Sequence, residues 1–535
     1  MARGGAGRRR SGRQPRDRYR HRDRSPALNQ SIDYAAILPL LLAALGALGV
    51  LIADLFVGAK GRASFPWVTA GILVLGLGAE LGLWASGAGT RPRLTFCLDS
   101  RHATTLNCSY SVDSFTLTIQ TLLLAGTLLT VLMAPRKFKA PFGEYHFLLL
   151  SSLTGALLMA GARDFISMTV GLETLSLPAY ALVGFGRKRG EQSAAGAEAA
   201  LKFFLMSVAS TAVMLFGISL VYGVTGSVYF VDIEAVLALT GYHAGILTAG
   251  MVLTLAGFAF KISAVPFHFW TPEVYSGAPV PIAAYLSVVS KTAGFAGLIV
   301  TLELAFRTEM HNLSVLVAIL AAVTMTFGNV VALRQRSAVR LLAWSTVAQA
   351  GYVLVPLAVT MWNGRDLSRV TVLSAGALGP AVTASVAYLV FYAAMNLGAF
   401  GVVSALGGTL AGGGELADYR GLSARQPRAA WPLAFFLLCL AGLPPGLMGL
   451  FAKVAVFRAA TSGGLTWLAV VMAVNVVIAL FYYLRWAAAL FTPTGQDAPV
   501  SARLSRSVPL GPRIAVGLAL VVSIVFSFYP APAFR

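Results

Sequence analysis

The chain contains about fourteen apolar runs, each close to the length that an α-helix needs to cross a lipid bilayer, ~20 residues. The runs lie roughly at residues 34–56, 65–86, 112–134, 144–161, 163–185, 198–222, 245–265, 281–303, 312–333, 341–361, 379–408, 431–460, 464–491 and 511–531. The ten-residue alternating segments of a membrane β-barrel do not occur in them. The sequence therefore predicts an all-α polytopic membrane protein with about 14 transmembrane helices.

Composition agrees with this fold class and leaves few residues for soluble domains. Of the 535 residues, 57% are hydrophobic and 12% are charged, and the mean hydropathy is +0.75, outside the soluble globular range. The net charge of +20 would suit a nucleic-acid ligand, but much of it lies in the Arg-rich stretch at residues 1–30. That stretch has no apolar face to bury, so we expect a disordered, solvated tail and no nucleic-acid binding. A transit peptide and residues added by an upstream start codon are the alternatives.

The distribution of Lys and Arg predicts the orientation. With fourteen helices and an extracytoplasmic N-terminus, the cytoplasmic loops hold about twice as many Lys and Arg residues as the outer loops, leaving the tail aside. Cytoplasmic loops of membrane proteins carry such an excess. We therefore expect both termini to be extracytoplasmic, together with the loop at residues 87–111.

The three cysteines are too few for a Cys-ligated zinc site or an iron–sulfur cluster. Cys97 and Cys108 share the predicted outer loop, where a disulfide can persist. Two unpaired thiols are the alternative. We expect Cys439 to be a packing residue of the core.

Five basic residues fall inside the apolar runs: Lys202, Lys261, Lys291, Lys453 and Arg485. Lys202 and Arg485 lie near helix ends, where a long side chain can reach the interface. The other three lie deeper, where each unpaired lysine costs ~2.5–3.5 kcal/mol on insertion scales. We therefore expect them to face the interior of the bundle, beside water or a carboxylate.

Glu173, in "MTVGLETLSLPAYALVGF", is a mid-span carboxylate and the expected partner of Lys261. A buried lysine beside a carboxylate keeps its proton, whereas desolvation drives it to release that proton once the carboxylate withdraws. A pair whose separation changes is thus a proton gate. A static ion pair is the alternative, although it leaves the other buried lysines unexplained.

Prolines interrupt two runs beside a lysine. Pro266 follows "GFAFK" at 257–261, and Pro444 and Pro445 precede "GLFAK" at 449–453. A proline in a span frees a backbone carbonyl, which is tolerated at membrane depth only where the freed groups line protein or water. Interrupted helices in matching halves are typical of a transport core. We therefore expect each break and its lysine to form one polar site.

Four stretches closely resemble the antiporter-like subunit N family of bacterial proton-pumping NADH:quinone oxidoreductase, respiratory complex I. They are "HFWTPEVYSGAPVPIAAYLSVVSKTAGFAGL", "GLETLSLPAYALVGF", "EAALKFFLMSVASTAVMLFGISLVYGVTGS" and "LAGLPPGLMGLFAKVAVF". The resemblance runs from roughly residue 34 to 531 and implies two inverted five-helix repeats with broken seventh and twelfth helices. The implied divisions are residues 31–142 for helices 1–3, 143–303 and 312–491 for the repeats, and 511–535 for helix 14. The family's proton-transfer positions match Glu173, Lys202, Lys261, Lys291 and Lys453.

Single features separate this family from its paralogues. Subunit M typically has Glu where Lys453 stands, and subunit L continues into a long lateral helix that we do not expect after Arg535. Val280 departs from the usual Thr of the family.

The resemblance implies a translocase subunit of the bacterial plasma membrane that couples electron transfer from NADH to quinone with proton pumping. NADH, FMN, iron–sulfur clusters and quinone would be handled by partner subunits, with no cofactor in this chain. Subunit M and the small membrane subunits next to N would be its neighbours, with lipid around them. Separation of Lys261 from Glu173 would send a proton towards Lys291 and Lys453. A subunit of a multisubunit cation/proton antiporter is the alternative, and a non-conducting structural subunit is a third interpretation.

Overall fold

The structure is a computed structural model that describes residues 32–58, 61–99, 106–134, 142–185, 191–240, 245–362, 379–407, 414–493 and 509–534. The basic tail at residues 1–30 lies outside these residues. The described chain is helical apart from one small sheet and its connections.

Three long helices and a β-hairpin form the N-terminal part. The helices are α1 Leu38–Phe56, α2 Phe65–Ala85 and α3 Ser114–Met133, with a short 3₁₀ turn at Gly61–Ser64 before α2. Between α2 and α3, strands β1 Arg93–Asp99 and β2 Leu106–Val112 pair antiparallel. The all-α prediction missed this hairpin, because the polar–apolar alternation of β1 covers only a few residues.

Six helices follow: α4 Phe142–Gly161, α5 Phe165–Gly184, α6 Glu191–Thr225, α7 Phe230–Thr240, α8 Gly245–Lys261 and α9 Trp270–Gly277. Aspartate side chains cap the N-termini of α3 and α5. Asp113 accepts a hydrogen bond from the Thr116 amide at α3, and Asp164 accepts one from the Ser167 amide at α5. Each satisfies a backbone N–H that the first helical turn leaves without a partner.

The next span is continuous but irregular. It comprises α10 Val280–Tyr285, a π-helical segment Leu286–Ser290, α11 Lys291–Val300 and a second π segment Thr301–Ala305. Every residue of α11 is buried, so this span lies at the centre of the bundle. π segments inside helices occur frequently at functional sites.

The C-terminal half contains eight further helices: α12 Met310–Ala332, α13 Ala338–Trp362, α14 Pro380–Leu406, α15 Leu422–Arg425, α16 Pro427–Ala441, α17 Leu447–Ser462, α18 Thr466–Phe491 and α19 Leu510–Phe528. Short 3₁₀ turns lie at Leu416–Tyr419 and Ala531–Phe534. Helix α14 packs on α13, α16, α17 and α19 and is itself largely buried.

Within the described residues, eleven helical segments are long and apolar enough to cross a membrane. The other three predicted runs, 144–161, 245–265 and 431–460, coincide with α4, with α8 and with the interrupted pair α16–α17. The chain is therefore a mostly helical polytopic membrane protein, and the total of fourteen spans depends on how these three are assigned.

The C-terminus of helix α8 is capped by backbone hydrogen bonds just before Pro266. Ser263 adopts a left-handed conformation with φ of 63°. Its amide donates to the Phe260 carbonyl at 3.0 Å, and the Ala264 amide donates to the Ala259 carbonyl at 2.8 Å. These two bonds form a Schellman motif, which satisfies carbonyls at a helix C-terminus.

Helix α16 ends in the same way ahead of Pro445. Gly442 has φ of 82°, its amide donates to the Cys439 carbonyl at 3.0 Å, and the Leu443 amide donates to the Leu438 carbonyl at 2.9 Å. In both places a cis X-Pro peptide bond lies three residues after the left-handed residue. The two interruptions therefore share one backbone design.

Candidate functional site

Lys261 is the last residue of α8 and points into the bundle. Its side chain is 2% exposed, and Nζ donates a 2.7 Å hydrogen bond to Oγ of Ser176 on α5. Glu173 lies one helical turn before Ser176 and accepts a 2.8 Å hydrogen bond from the Thr211 hydroxyl. The ion pairs of the described residues, taken within 4.0 Å, do not include Lys261 with Glu173. The expected partners are thus neighbours that each bind a neutral side chain.

Lys202 lies elsewhere, on the partly exposed face of α6. Nζ is 2.7 Å from a carboxylate oxygen of Glu198 and 2.9 Å from one of Glu273, and the lysine side chain is 41% exposed. It is therefore held as a charged group by two acids. Sequence reasoning had not selected either of these acids.

Lys291 is the first residue after the π segment of the central span. It is 2% exposed, and Nζ donates a 3.0 Å hydrogen bond to the backbone carbonyl of Thr346 on α13. The hydrogen-bonding register of the π segment differs by one residue from that of an α-helix, which changes the helix face on which the following Lys291 lies.

Lys453 lies on α17 and caps the C-terminal end of α16 across the interruption between the two helices. Its Nζ donates to the carbonyls of Leu440 at 2.9 Å and Ala441 at 2.6 Å. The last carbonyls of a helix lack intrahelical partners and carry the negative end of its dipole. An ammonium group is favoured there without a carboxylate.

Gly449 allows α17 to approach this helix end. A methyl group added at Gly449 would collide with the Cys439 carbonyl oxygen. Only glycine fits one turn before Lys453, and the close approach brings the lysine to the free carbonyls. Cys439 itself is fully buried, as expected for a packing residue.

The side chain of Lys261 reaches the helix that carries Lys291. A methyl group added at Gly294 would lie 2.9 Å from Cγ of Lys261, and Gly294 is one turn beyond Lys291 on α11. The side chain of Lys261 therefore packs against α11 one turn away from Lys291.

A buried polar cluster continues from Lys291 towards α14. The Tyr392 hydroxyl lies 2.9 Å from Oγ1 of Thr346 and 3.2 Å from the Ser287 carbonyl, and Asn396 donates to Oγ of Ser287 at 2.8 Å. Sequence reasoning missed these residues together with Ser176. Their signal was a polar residue inside an apolar run, which is common in membrane helices and does not single out a site.

The three deepest lysines share one property. Lys261, Lys291 and Lys453 are each buried to 6% exposure or less, and each donates to a neutral oxygen: a hydroxyl or a backbone carbonyl. A neutral acceptor can keep its hydrogen bond whether the amine is charged or neutral, because either form has an N–H to donate. The arrangement can therefore hold a proton and pass it on.

The β-hairpin joins the two cysteines of the predicted outer loop. Cys97 and Cys108 are opposite each other in the sheet and form a disulfide. The neighbouring Asn107 donates a 2.7 Å hydrogen bond to Asp232 of α7, which fixes the hairpin against the helical bundle.

Comparison with known proteins identifies relatives over most of the chain. The transmembrane family described as "NADH:quinone oxidoreductase/Mrp antiporter" matches residues 162–479. NADH-quinone oxidoreductase subunit N 2 of Streptomyces griseus is 49% identical over 497 residues, covering 91% of this chain and 88% of the relative. Subunit N of Salinispora tropica is 43% identical over 475 residues, covering 86% of each chain.

Two solved structures share the fold. A chain of respiratory complex I from Thermus thermophilus with bound aureothin has a TM-score of 0.69 and 27% identity, covering 93% of this chain and 98% of that one. A chain of the Mrp complex from Dietzia has a TM-score of 0.76 at 20% identity, covering 93% and 96%. The second likeness concerns the fold alone.

Proposed function

The chain belongs to the subunit N family of NADH-quinone oxidoreductase, and from that premise we propose how its buried residues move protons. Its place in the complex is that of a proton-translocating membrane subunit, so the chain is part of a translocase. The proposal concerns Lys261, Lys291 and Lys453 as successive proton carriers, with Glu173 as the residue that controls the first of them.

The observation that carries the proposal is the neutral partner of each deep lysine. An ion pair would hold a lysine in its charged form, whereas the Ser176 hydroxyl and the Thr346 carbonyl accept a hydrogen bond from either form. Burial without a counter-ion favours the neutral amine, whereas the helix-end carbonyls at Lys453 favour the ammonium form. These three lysines can therefore change protonation state.

Glu173 supplies the switch. It lies one turn from Ser176, from where its negative charge would act on Lys261 through space. When Glu173 moves towards Lys261, the ammonium form is stabilised; when it turns to the Thr211 hydroxyl, as in this structure, Lys261 is left with a neutral acceptor. On this proposal, the arrangement seen here would be the separated state of the gate.

The proton then passes along the interior of the bundle. Lys261 packs on Gly294 of α11, which brings it beside the helix of Lys291. Thr346 and Tyr392 extend the polar cluster from Lys291 to α14. Helix α14 packs on both α16 and α17, the helices that form the Lys453 site. Water would complete the step between Tyr392 and Lys453.

Lys202 fits a different part of this scheme. Paired with Glu198 and Glu273 on a partly exposed face, it would keep its proton while the two acids offset its charge. A proton-transfer role for Lys202 would therefore require one of these acids to move away.

We extend the proposal to topology and partners. Counting α4, α8 and the interrupted pair α16–α17 gives fourteen spans, and the shared design of the two breaks supports two related halves, inverted as in the family. The charge distribution of the loops supports a bacterial plasma membrane location with both termini extracytoplasmic. Redox centres would belong to partner subunits, with subunit M and the small membrane subunits beside this chain.

A vesicle experiment tests the function. In inverted membrane vesicles of a strain lacking this gene, NADH should fail to drive proton uptake, and the wild-type chain should restore it. The antiporter alternative predicts instead that Na⁺ or K⁺ pulses move protons without NADH. Purification of the chain from membranes, followed by identification of its partners, distinguishes the same two alternatives.

A further inference from the structure

Glu80 is a buried carboxyl group for which the lysine relay has no role. It lies on α2, five residues before the helix ends near the β-hairpin, and its side chain is 1% exposed. Neither carboxyl oxygen has a hydrogen-bond partner in the structure. Since no surface of the side chain is accessible, a residue of a neighbouring subunit cannot supply that partner.

Few charged groups surround Glu80. Helix α3 carries none, and α1 contributes Asp54, which pairs with Arg62 at the opposite end of α2. Helix α4 contributes Glu144 and His146 at that same far end, since Gly143 packs on Asp54. The phenol of Tyr110 on β2 interacts electrostatically with Glu80 and with Arg163, which is paired with Asp113. At the hairpin end of α2, Arg93 donates to Ser86 and is paired with Asp33.

Tyr110 connects this site to the hairpin and to α3. Its hydroxyl accepts a 2.6 Å hydrogen bond from Nε2 of Gln120, which also donates to the Leu157 carbonyl at 2.9 Å. Further along α3, a methyl group added at Gly126 would lie 2.9 Å from Val289 in the π segment before Lys291. Helix α3 thus runs from the Glu80 site to the central span.

An ionised carboxylate in these surroundings would have neither a counter-ion nor a hydrogen bond, at a cost of several kcal/mol. A hard cation would need several oxygen ligands, and the described neighbours supply one phenol oxygen. A proton needs no further ligand. The carboxyl group is therefore suited to hold a proton.

We propose that Glu80 is a proton-holding site that takes up and releases a proton on the hairpin side of the chain during turnover, with Tyr110 as its polar neighbour. The site lies apart from Lys261, Lys291 and Lys453. It would exchange protons between these lysines and the hairpin side of the chain. This inference rests on the proposed function, because it assigns a further station to the same proton transfer.

Infrared spectroscopy of the assembled complex tests the proposal. The wild-type spectrum minus that of a Glu80→Gln variant should contain the C=O band of a protonated carboxyl group. On addition of NADH and quinone that band should change in the wild type, and the change should be lost in Glu80→Gln. Glu80→Asp should shift the band, which provides a second assembled variant if Gln disturbs folding. Glu144→Gln, which removes an exposed carboxylate, should leave the band in place.

Two results would overturn the inference. If the band is missing from the difference spectrum, Glu80 is ionised; if the band is present but insensitive to turnover, Glu80 is a static buried acid. Neither result depends on the lysines, so the relay can survive the failure of this site. Conversely, a Glu80 band that changes on turnover, together with unchanged pumping in the lysine variants, would refute the relay and leave the Glu80 assignment standing.

Discussion

The amine of Lys261 donates its hydrogen bond to the hydroxyl of Ser176, one helical turn away from the carboxylate of Glu173. The hydroxyl itself lies 2.5 Å from the Leu172 carbonyl, to which it donates, so it is held in place as an acceptor for the lysine. Ser176 therefore holds Lys261 one helical turn from Glu173, and Lys261 and Glu173 do not form an ion pair.

Ser176→Ala should slow coupled turnover. The variant removes a hydrogen bond worth ~0.5–1.5 kcal/mol, and it frees Lys261 to approach Glu173 and become charged. We expect NADH-driven proton uptake to fall about tenfold with normal assembly, because ~1.4 kcal/mol corresponds to a factor of ten. Ser219→Ala is the matched control, since the Ser219 hydroxyl bonds to its own helix on an exposed surface. Equal rates in both variants would show that Ser176 does not position the lysine.

Two substitutions at Lys453 separate its structural role from proton transfer. Lys453→Met leaves the Leu440 and Ala441 carbonyls without their donor, at ~1–3 kcal/mol for each unsatisfied group, so the amount of assembled complex should fall. Lys453→Arg keeps the donors and the charge but can scarcely release a proton. It should assemble and fail to pump, as measured by native gel electrophoresis and vesicle acidification. Pumping at the wild-type rate in Lys453→Arg would make this residue a helix cap alone.

Gly449→Ala should prevent stable assembly. The added methyl group meets the backbone carbonyl of Cys439, which cannot move without shifting α16 against α17, so the cost should lie at or above the upper end of ~1–3 kcal/mol. Gly517→Ala on α19 is the control, because the position has open space around it. The subunit content of washed membranes measures the difference. A stable Gly449→Ala complex would mean that the approach of the two helices is looser than described.

Several of these features follow from the sequence, and others do not. The cost of burying Lys261, Lys291 and Lys453 in apolar runs is enough to predict that they face the interior. Their partners could not be predicted, because a backbone carbonyl such as that of Thr346 is available at every residue and becomes an acceptor only through packing. For the same reason, Lys261 binds the hydroxyl of Ser176 and not the expected Glu173. The helices packed against α5 set the direction of its side chains.

The hairpin illustrates a related limit. Its cysteines are visible as a pair in the sequence, but the pairing of β1 with β2 depends on contacts such as Asn107 with Asp232, 125 residues away. Local alternation is too short to indicate it.

The disulfide provides a test of orientation. Closing the short loop between Cys97 and Cys108 should stabilise the hairpin by ~2–3 kcal/mol, and we expect both sulfurs to resist a thiol reagent in intact cells until a reductant is added. Cys97→Ser should expose Cys108 to the reagent without a reductant. Labelling only after permeabilisation would place the hairpin on the cytoplasmic side and reverse the proposed topology.

Lys261→Arg, assayed for NADH-driven proton uptake in inverted vesicles, tests the central claim most directly. Arginine keeps a positive charge beside Ser176 and Glu173 but, with a pKa above ~12, can scarcely give up a proton. Lys261→Met is the companion variant, since it keeps the length of the side chain without the charge. The relay predicts that both variants assemble and that neither pumps protons. Full turnover and full pumping in an assembled Lys261→Arg complex would contradict the relay and leave Lys261 with a structural role.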